Sequence, residues 1–179
     1  MGLFSKRQRI TAGNLATEVA ELVLSDAPGE RESIDTHLRA VGFVPPTDGN
    51  RYLAELLIVA VFPYELILAI EHGNAATPVR TRVRELLLKR VNSARAASGD
   101  QPLPFAEWQA KVDARLDQYA NALQSGVEEQ GVEIFAARAS TIICGSDAPD
   151  LGVAALVRLK YAGTMQYMRP PLKNYLIVP

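Results

Sequence analysis

Residues 52–70 read YLAELLIVAVFPYELILAI and are the most apolar stretch of the 179-residue chain, with Glu55 and Glu65 as their only charged residues. A helix that is apolar nearly all round is surrounded by other helices in a folded protein. A proline inside a helix removes one backbone donor and clashes with the preceding turn. We therefore predict that residues 52–71 form the central buried helix of a bundle, kinked or broken near Pro63.

The length of this stretch raises the question of a membrane span, since about 20 apolar residues cross a bilayer. Two carboxylates and a proline lie within it, and the uncharged apolar run from Leu56 to Tyr64 is too short to span. Charges near the centre of a bilayer are costly. We expect no transmembrane span and, in the absence of a signal-peptide pattern, a cytoplasmic location.

On both sides of this stretch, apolar residues recur every three or four positions, which is typical of helices with one buried face. The clearest series is Phe105, Trp108, Val112, Leu116, Tyr119 and Leu123. Residues 132–144 also suit a strand, but their alanines favour a helix. The predicted fold is all-α, a compact bundle of six or seven helices over about residues 11–25, 30–41, 52–71, 77–97, 105–124, 127–144 and 150–168.

Local signals predict where several helices begin and end. The sequence Asp26-Ala27-Pro28-Gly29 indicates a turn between the first two helices. Thr77 is predicted to cap the helix whose first position holds Pro78. Either Asp147 or Asp150 is predicted to cap the last helix.

The two ends of the chain are predicted to lack helix. Pro170-Pro171 is expected to end the last helix and to leave residues 172–179 as an extended tail that docks on the body. The first nine residues include three basic residues and no acidic one, and Leu3 and Phe4 among them are candidates for contact with a membrane surface. A frayed terminus is the preferred interpretation.

Length and composition indicate one domain over residues 1–179, with a subdivision near residues 98–104 as the alternative. Hydrophobic residues make up 48% of the chain and charged residues 22%, which is close to the average for globular proteins and excludes a disordered chain. The net charge of −1 gives no overall attraction to nucleic acid or to an anionic membrane.

The small net charge is the balance of five blocks that alternate in sign. Residues 1–10, 77–98 and 151–179 are basic, and the two intervening blocks are acidic. One interpretation is that neighbouring helices of opposite charge neutralise each other. The alternative is an exposed basic face on the helix after Pro78, which would bind a protein partner with an acidic surface or a second copy of the chain. The candidate residues are Arg80, Arg82, Arg84, Lys89 and Arg90.

A DNA- or RNA-binding regulator is an alternative function. Ala69, Gly73 and Val79 match the spacing of a helix-turn-helix, and the helix that follows carries arginines at its start. Arg82 departs from the pattern, because an aliphatic residue normally packs at that position. The protein-partner hypothesis is preferred.

A small-molecule binder or enzyme with a site near Glu65 is the second alternative. An acid in so apolar a stretch is costly unless it is paired. Pairing with an arginine of the 77–98 helix is the structural explanation, and a functional carboxylate close to Tyr64 and His72 is the other.

Motifs for metal and covalent chemistry are missing from the sequence. Neither His37 nor His72 has a glutamate three residues before it, as the helical di-iron pattern requires. Cys144, the single cysteine, has isoleucines before it and is interpreted as a buried apolar residue. We therefore expect no metal, no cofactor and no catalytic residue, and we favour a non-enzymatic interaction or scaffold protein.

Overall fold

The structure, a computed structural model, describes residues 7–40 and 49–178, without the side chains of residues 26–31, 49–51 and 128. The all-α prediction is confirmed. The described elements are β1 (Gln8–Thr11), α1 (Ala12–Ala40), α2 (Gly49–His72), a 3-10 turn (Gly73–Ala76), α3 (Thr77–Ala97), α4 (Phe105–Gln124), α5 (Glu128–Cys144), α6 (Leu151–Lys173) and β2 (Tyr175–Val178).

α2 is the central helix, as predicted, and it packs against every other α-helix. Its residues Leu57, Ile58 and Ile67 are completely buried. The helix continues through Pro63, so of the two predicted outcomes, a kink or a break, the break was wrong. Packing on all sides offsets the lost backbone hydrogen bond. Length and composition alone would let this segment cross a bilayer, but 78% of its most apolar window is buried within the protein.

The N-terminal third forms one helix where we expected two. α1 runs without interruption through residues 26–29, so the predicted turn was wrong. Val23 and Ile34 are both buried, and they lie about three helical turns apart. The apolar stripes of the two expected helices are therefore in phase, and packing of one long face against the core outweighs the local effect of Pro28 and Gly29.

α6 also continues past its expected end, through Pro170 and Pro171 to Lys173. Leu172 is buried, and its carbonyl oxygen lies 2.8 Å from Nε2 of His72. These contacts hold the last turn in place although the two prolines donate no backbone hydrogen bonds. At the N-terminal end of α6, the prediction of a capping aspartate is confirmed for Asp150. Its carboxylate accepts a hydrogen bond from the Val153 amide at 2.9 Å.

The start of α3 differs from the prediction. Thr77 does not cap α3, because the 3-10 turn leads directly into the helix and places Ala76 at the cap position. Gly73 begins that turn with a φ of 54°, a backbone conformation that favours glycine.

The predicted helix over residues 127–144 is confirmed as α5, and the predicted bounds of α4 are also confirmed.

The two ends of the described chain form a small parallel sheet. β1 pairs with β2, and Arg9 lies opposite Leu176. The expectation of a frayed N-terminus was therefore wrong for Gln8 and Arg9, and Ile10 beside them is buried against the core. Leu3 and Phe4, the candidates for contact with a membrane, lie outside the residues that the structure describes. The prediction that the C-terminal tail docks on the body is confirmed, and its docking partner is β1.

Candidate functional site

Glu65 lies on the side of α2 that faces α3, with 3% of its surface exposed. Its Oε1 accepts a hydrogen bond from Arg84 Nε at 2.7 Å, and its Oε2 accepts one from Arg84 Nη2 at 3.1 Å. Arg80 also donates to Oε2. The carboxylate is thus held by two guanidinium groups, as the structural explanation of this buried acid predicted.

Arg84 links three helices through this pair. Its Nη1 donates to Asp113 of α4 at 2.7 Å, and its carbonyl oxygen accepts the indole N–H of Trp108 at 3.0 Å. Burial would lower the pKa of Arg84, but the hydrogen bonds and negative charges of Glu65 and Asp113 outweigh burial and raise it. The guanidinium therefore stays charged, and it joins α2, α3 and α4.

The five basic residues predicted to form one face of α3 do not lie on one face. The fold buries some of them and exposes the others. Arg84 is buried and Arg80 half-buried, and both are directed to Glu65. Arg82 is exposed and pairs with Glu85, one turn along the same helix, at 2.6 Å. Lys89 and Arg90 are exposed and make no ion pair with any residue that the structure describes. Only Arg82, Lys89 and Arg90 are thus available to a partner.

A wide, shallow groove with a volume of about 800 Å³ follows the outer side of α3 and ends at the first residue of α4. Charged, polar and apolar side chains share its lining. They include Arg82, Glu85, Leu88, Lys89, Asn92 and Phe105. Asn92 joins this side of α3 to the segment before α4, because its side-chain amide exchanges two hydrogen bonds with the backbone of Leu103, at 2.7 and 3.1 Å.

The start of α3 bears on the helix-turn-helix alternative. A recognition helix must present its basic side chains to the major groove of DNA. Of the three arginines that open α3, Arg82 alone is exposed, whereas Arg80 and Arg84 bind Glu65. One of these three arginines is therefore free of the core and able to face the groove of a DNA duplex.

The small-molecule alternative placed Glu65, Tyr64 and His72 in one site, but the structure does not bring these side chains together. Glu65 faces α3, while Nε2 of His72 lies 2.8 Å from the Leu172 carbonyl oxygen of α6. Tyr64 is buried beside Glu65 and lines a hollow of about 270 Å³ against α6. Each of the three side chains therefore meets a different set of neighbours.

A second buried acid, Glu55, escaped the sequence interpretation although it lies in the same apolar stretch as Glu65. It is 2% exposed and accepts two hydrogen bonds from Arg115, at 3.0 and 3.1 Å. Lys111 adds a contact at 3.2 Å. The hydrogen bond with Glu55 raises the pKa of Arg115, and burial opposes it. Burying an unpaired acid is costly, and the same reasoning that predicted a partner for Glu65 would have predicted one for Glu55.

The remaining reactive side chains have structural partners. Cys144 is buried, and burial raises the pKa of its thiol, while a hydrogen bond with Ser140 opposes that effect. Nε2 of His37 lies 2.8 Å from Oδ1 of Asp150, the residue that caps α6. Among the described residues, no group of three or more histidine, cysteine, aspartate or glutamate side chains is placed to hold a metal ion.

Comparison of the chain with protein-family models, curated proteins and solved structures finds no match.

Proposed function

We propose that this protein is a non-enzymatic helical interaction protein that binds an acidic, amphipathic segment of a protein partner in the groove along α3. The observation that supports this function is the outward placement of Lys89 and Arg90, which have no ion pair within the described part of the chain. An exposed cation without a partner attracts acidic surfaces and selects among them.

The lining of the groove supports a partner that is both acidic and apolar. Half-buried Phe105 provides apolar contact area beside Leu88, which is 8% exposed, and Lys89 and Arg82 also line the groove. Interfaces obtain most of their affinity from a few apolar or aromatic contacts, while charges at the rim determine partner choice and the rate of association. We therefore expect an acidic segment that places apolar side chains on Leu88 and Phe105.

A pull-down with charge-reversed variants tests the proposal. The variant Lys89→Glu/Arg90→Glu is expected to weaken partner retention by about 100-fold, because two attractive contacts become repulsive. The matched control is Arg39→Glu/Arg138→Glu, which makes the same change of net charge at exposed positions on α1 and α5. The measurement is quantitative mass spectrometry of the proteins retained by each variant at low salt.

Proteins retained by the wild type and the control but lost from the α3 variant are the expected result. Equal retention by the two variants, or no protein retained above an empty resin, would contradict the proposal. Arg80 and Arg84 are left unchanged in this design, because their contacts with Glu65 make them part of the folded core.

A further inference from the structure

The sheet formed by β1 and β2 brings two basic blocks of the chain together. Residues 1–10 and residues 151–179 contain no acidic residue. The amide of Gln8 donates to the carbonyl oxygen of Asn174 at 3.0 Å, so Arg7 lies beside the end of α6. Like charges repel, and the fold therefore gains nothing electrostatically from this pairing.

We call Arg7, Arg9, Lys173 and Leu176 the basic pole. Arg9 and Leu176 are opposite each other in the ladder, and both point outwards, whereas Ile10 of the same strand is buried. Leu176 is 45% exposed. An apolar side chain is thus exposed to solvent among cationic ones.

Nearby acids neutralise only part of this surface. Glu71 accepts a hydrogen bond from Arg169 at 2.7 Å, and this bond lowers the pKa of the Glu71 carboxyl group. Burial opposes that effect, and the positive charges of Arg169 and Lys173 add to it. Glu18 accepts a hydrogen bond from the Tyr175 hydroxyl at 3.4 Å.

Among the residues that the structure describes, none of the three cations of the basic pole makes an ion pair. A positive charge therefore remains on this surface.

We propose that the basic pole docks the protein on an anionic lipid bilayer. Clustered lysine and arginine side chains bind anionic headgroups, and adjacent apolar side chains insert at the boundary with the acyl chains. The exposed aliphatic side chain of Leu176 among these cations favours a bilayer, since nucleic acids are bound through phosphate contacts and through stacking on aromatic rings.

Vesicle co-sedimentation tests this proposal with the whole chain. We expect binding to phosphatidylcholine vesicles that contain about 30% phosphatidylserine, no binding to pure phosphatidylcholine, and loss of binding in about 0.5 M salt. The variant Arg7→Gln/Arg9→Gln/Lys173→Gln is expected to bind about 100-fold more weakly. All three side chains are exposed, so the variant should keep its helical circular dichroism.

A control variant separates the basic pole from net charge. Lys89→Gln/Arg90→Gln/Arg138→Gln removes the same charge from exposed positions elsewhere, and we expect its binding to stay within about threefold of the wild type. A further variant, Leu176→Ser, is expected to reduce binding about fivefold, because it removes the exposed apolar side chain that the bilayer would bury.

Three results would overturn the proposal. They are failure of the wild type to bind the anionic vesicles, an equal loss in the control variant, and binding to a single-stranded oligonucleotide that the vesicles do not compete away. Because Lys89 and Arg90 are changed only in the control, failure at the basic pole is distinguishable from failure of the α3 groove.

Discussion

Replacing Glu65 with alanine is expected to destabilise the fold by about 3–5 kcal/mol, because removing one partner of a buried ion pair leaves the other charge unpaired. The charge left without its main partner is that of Arg84, which is buried and keeps Asp113 as its one acidic partner among the described residues. The measurement is the free energy of unfolding from urea denaturation monitored by circular dichroism.

Two controls define the physical cause. Glu85→Ala removes the partner of exposed Arg82 and is expected to cost less than about 1 kcal/mol, as exposed pairs do. Replacing both partners, as Glu65→Leu/Arg84→Leu, is expected to keep stability within about 2 kcal/mol of the wild type, since no buried charge is left unpaired. A Glu65→Ala variant as stable as the Glu85→Ala variant would show that the buried pair does not form.

Trp108→Ala is expected to be the most damaging truncation in α4, at about 3–5 kcal/mol. Trp108 is completely buried, and its indole N–H donates to the Arg84 carbonyl oxygen at 3.0 Å. The substitution removes both the packing of the ring and that hydrogen bond, at the junction of α3 and α4.

Trp108→Phe separates the two contributions. It keeps an aromatic ring and loses the donor, so we expect a cost of about 1–2 kcal/mol. Thermal and urea unfolding of the two variants provide the comparison. Equal losses in Trp108→Ala and Trp108→Phe would mean that the hydrogen bond, and not the packing of the ring, accounts for the effect.

The helices could be predicted where the apolar pattern and the local signals agree. The stripe from Phe105 to Leu123 predicted α4 with its observed bounds. The two signals conflict around residues 26–29, where proline and glycine indicate a turn while Val23 and Ile34 keep one helical phase. Tertiary packing decided the outcome there, and at Pro170-Pro171 as well.

The candidate site could be predicted only in part. The cost of burying Glu65 predicted an arginine partner on α3, but the division of the basic residues depends on how α3 faces α2 and α4. One signal was available: Arg84 lies three and four positions before Leu87 and Leu88, which places it on the buried side of α3. The pairing of β1 with β2 had no comparable signal, because two four-residue strands at opposite ends of the chain carry little pattern.

The fold divides the basic residues of α3 into a buried group and an exposed group. Comparing the urea unfolding of Arg84→Gln with that of Arg90→Gln tests this division most directly. Both variants remove one positive charge from the same helix. We expect Arg84→Gln to lose about 3–5 kcal/mol, since it leaves the buried carboxylate of Glu65 with Arg80 alone. Arg90→Gln is expected to stay within about 0.5 kcal/mol of the wild type. Equal stability of the two variants would contradict the division.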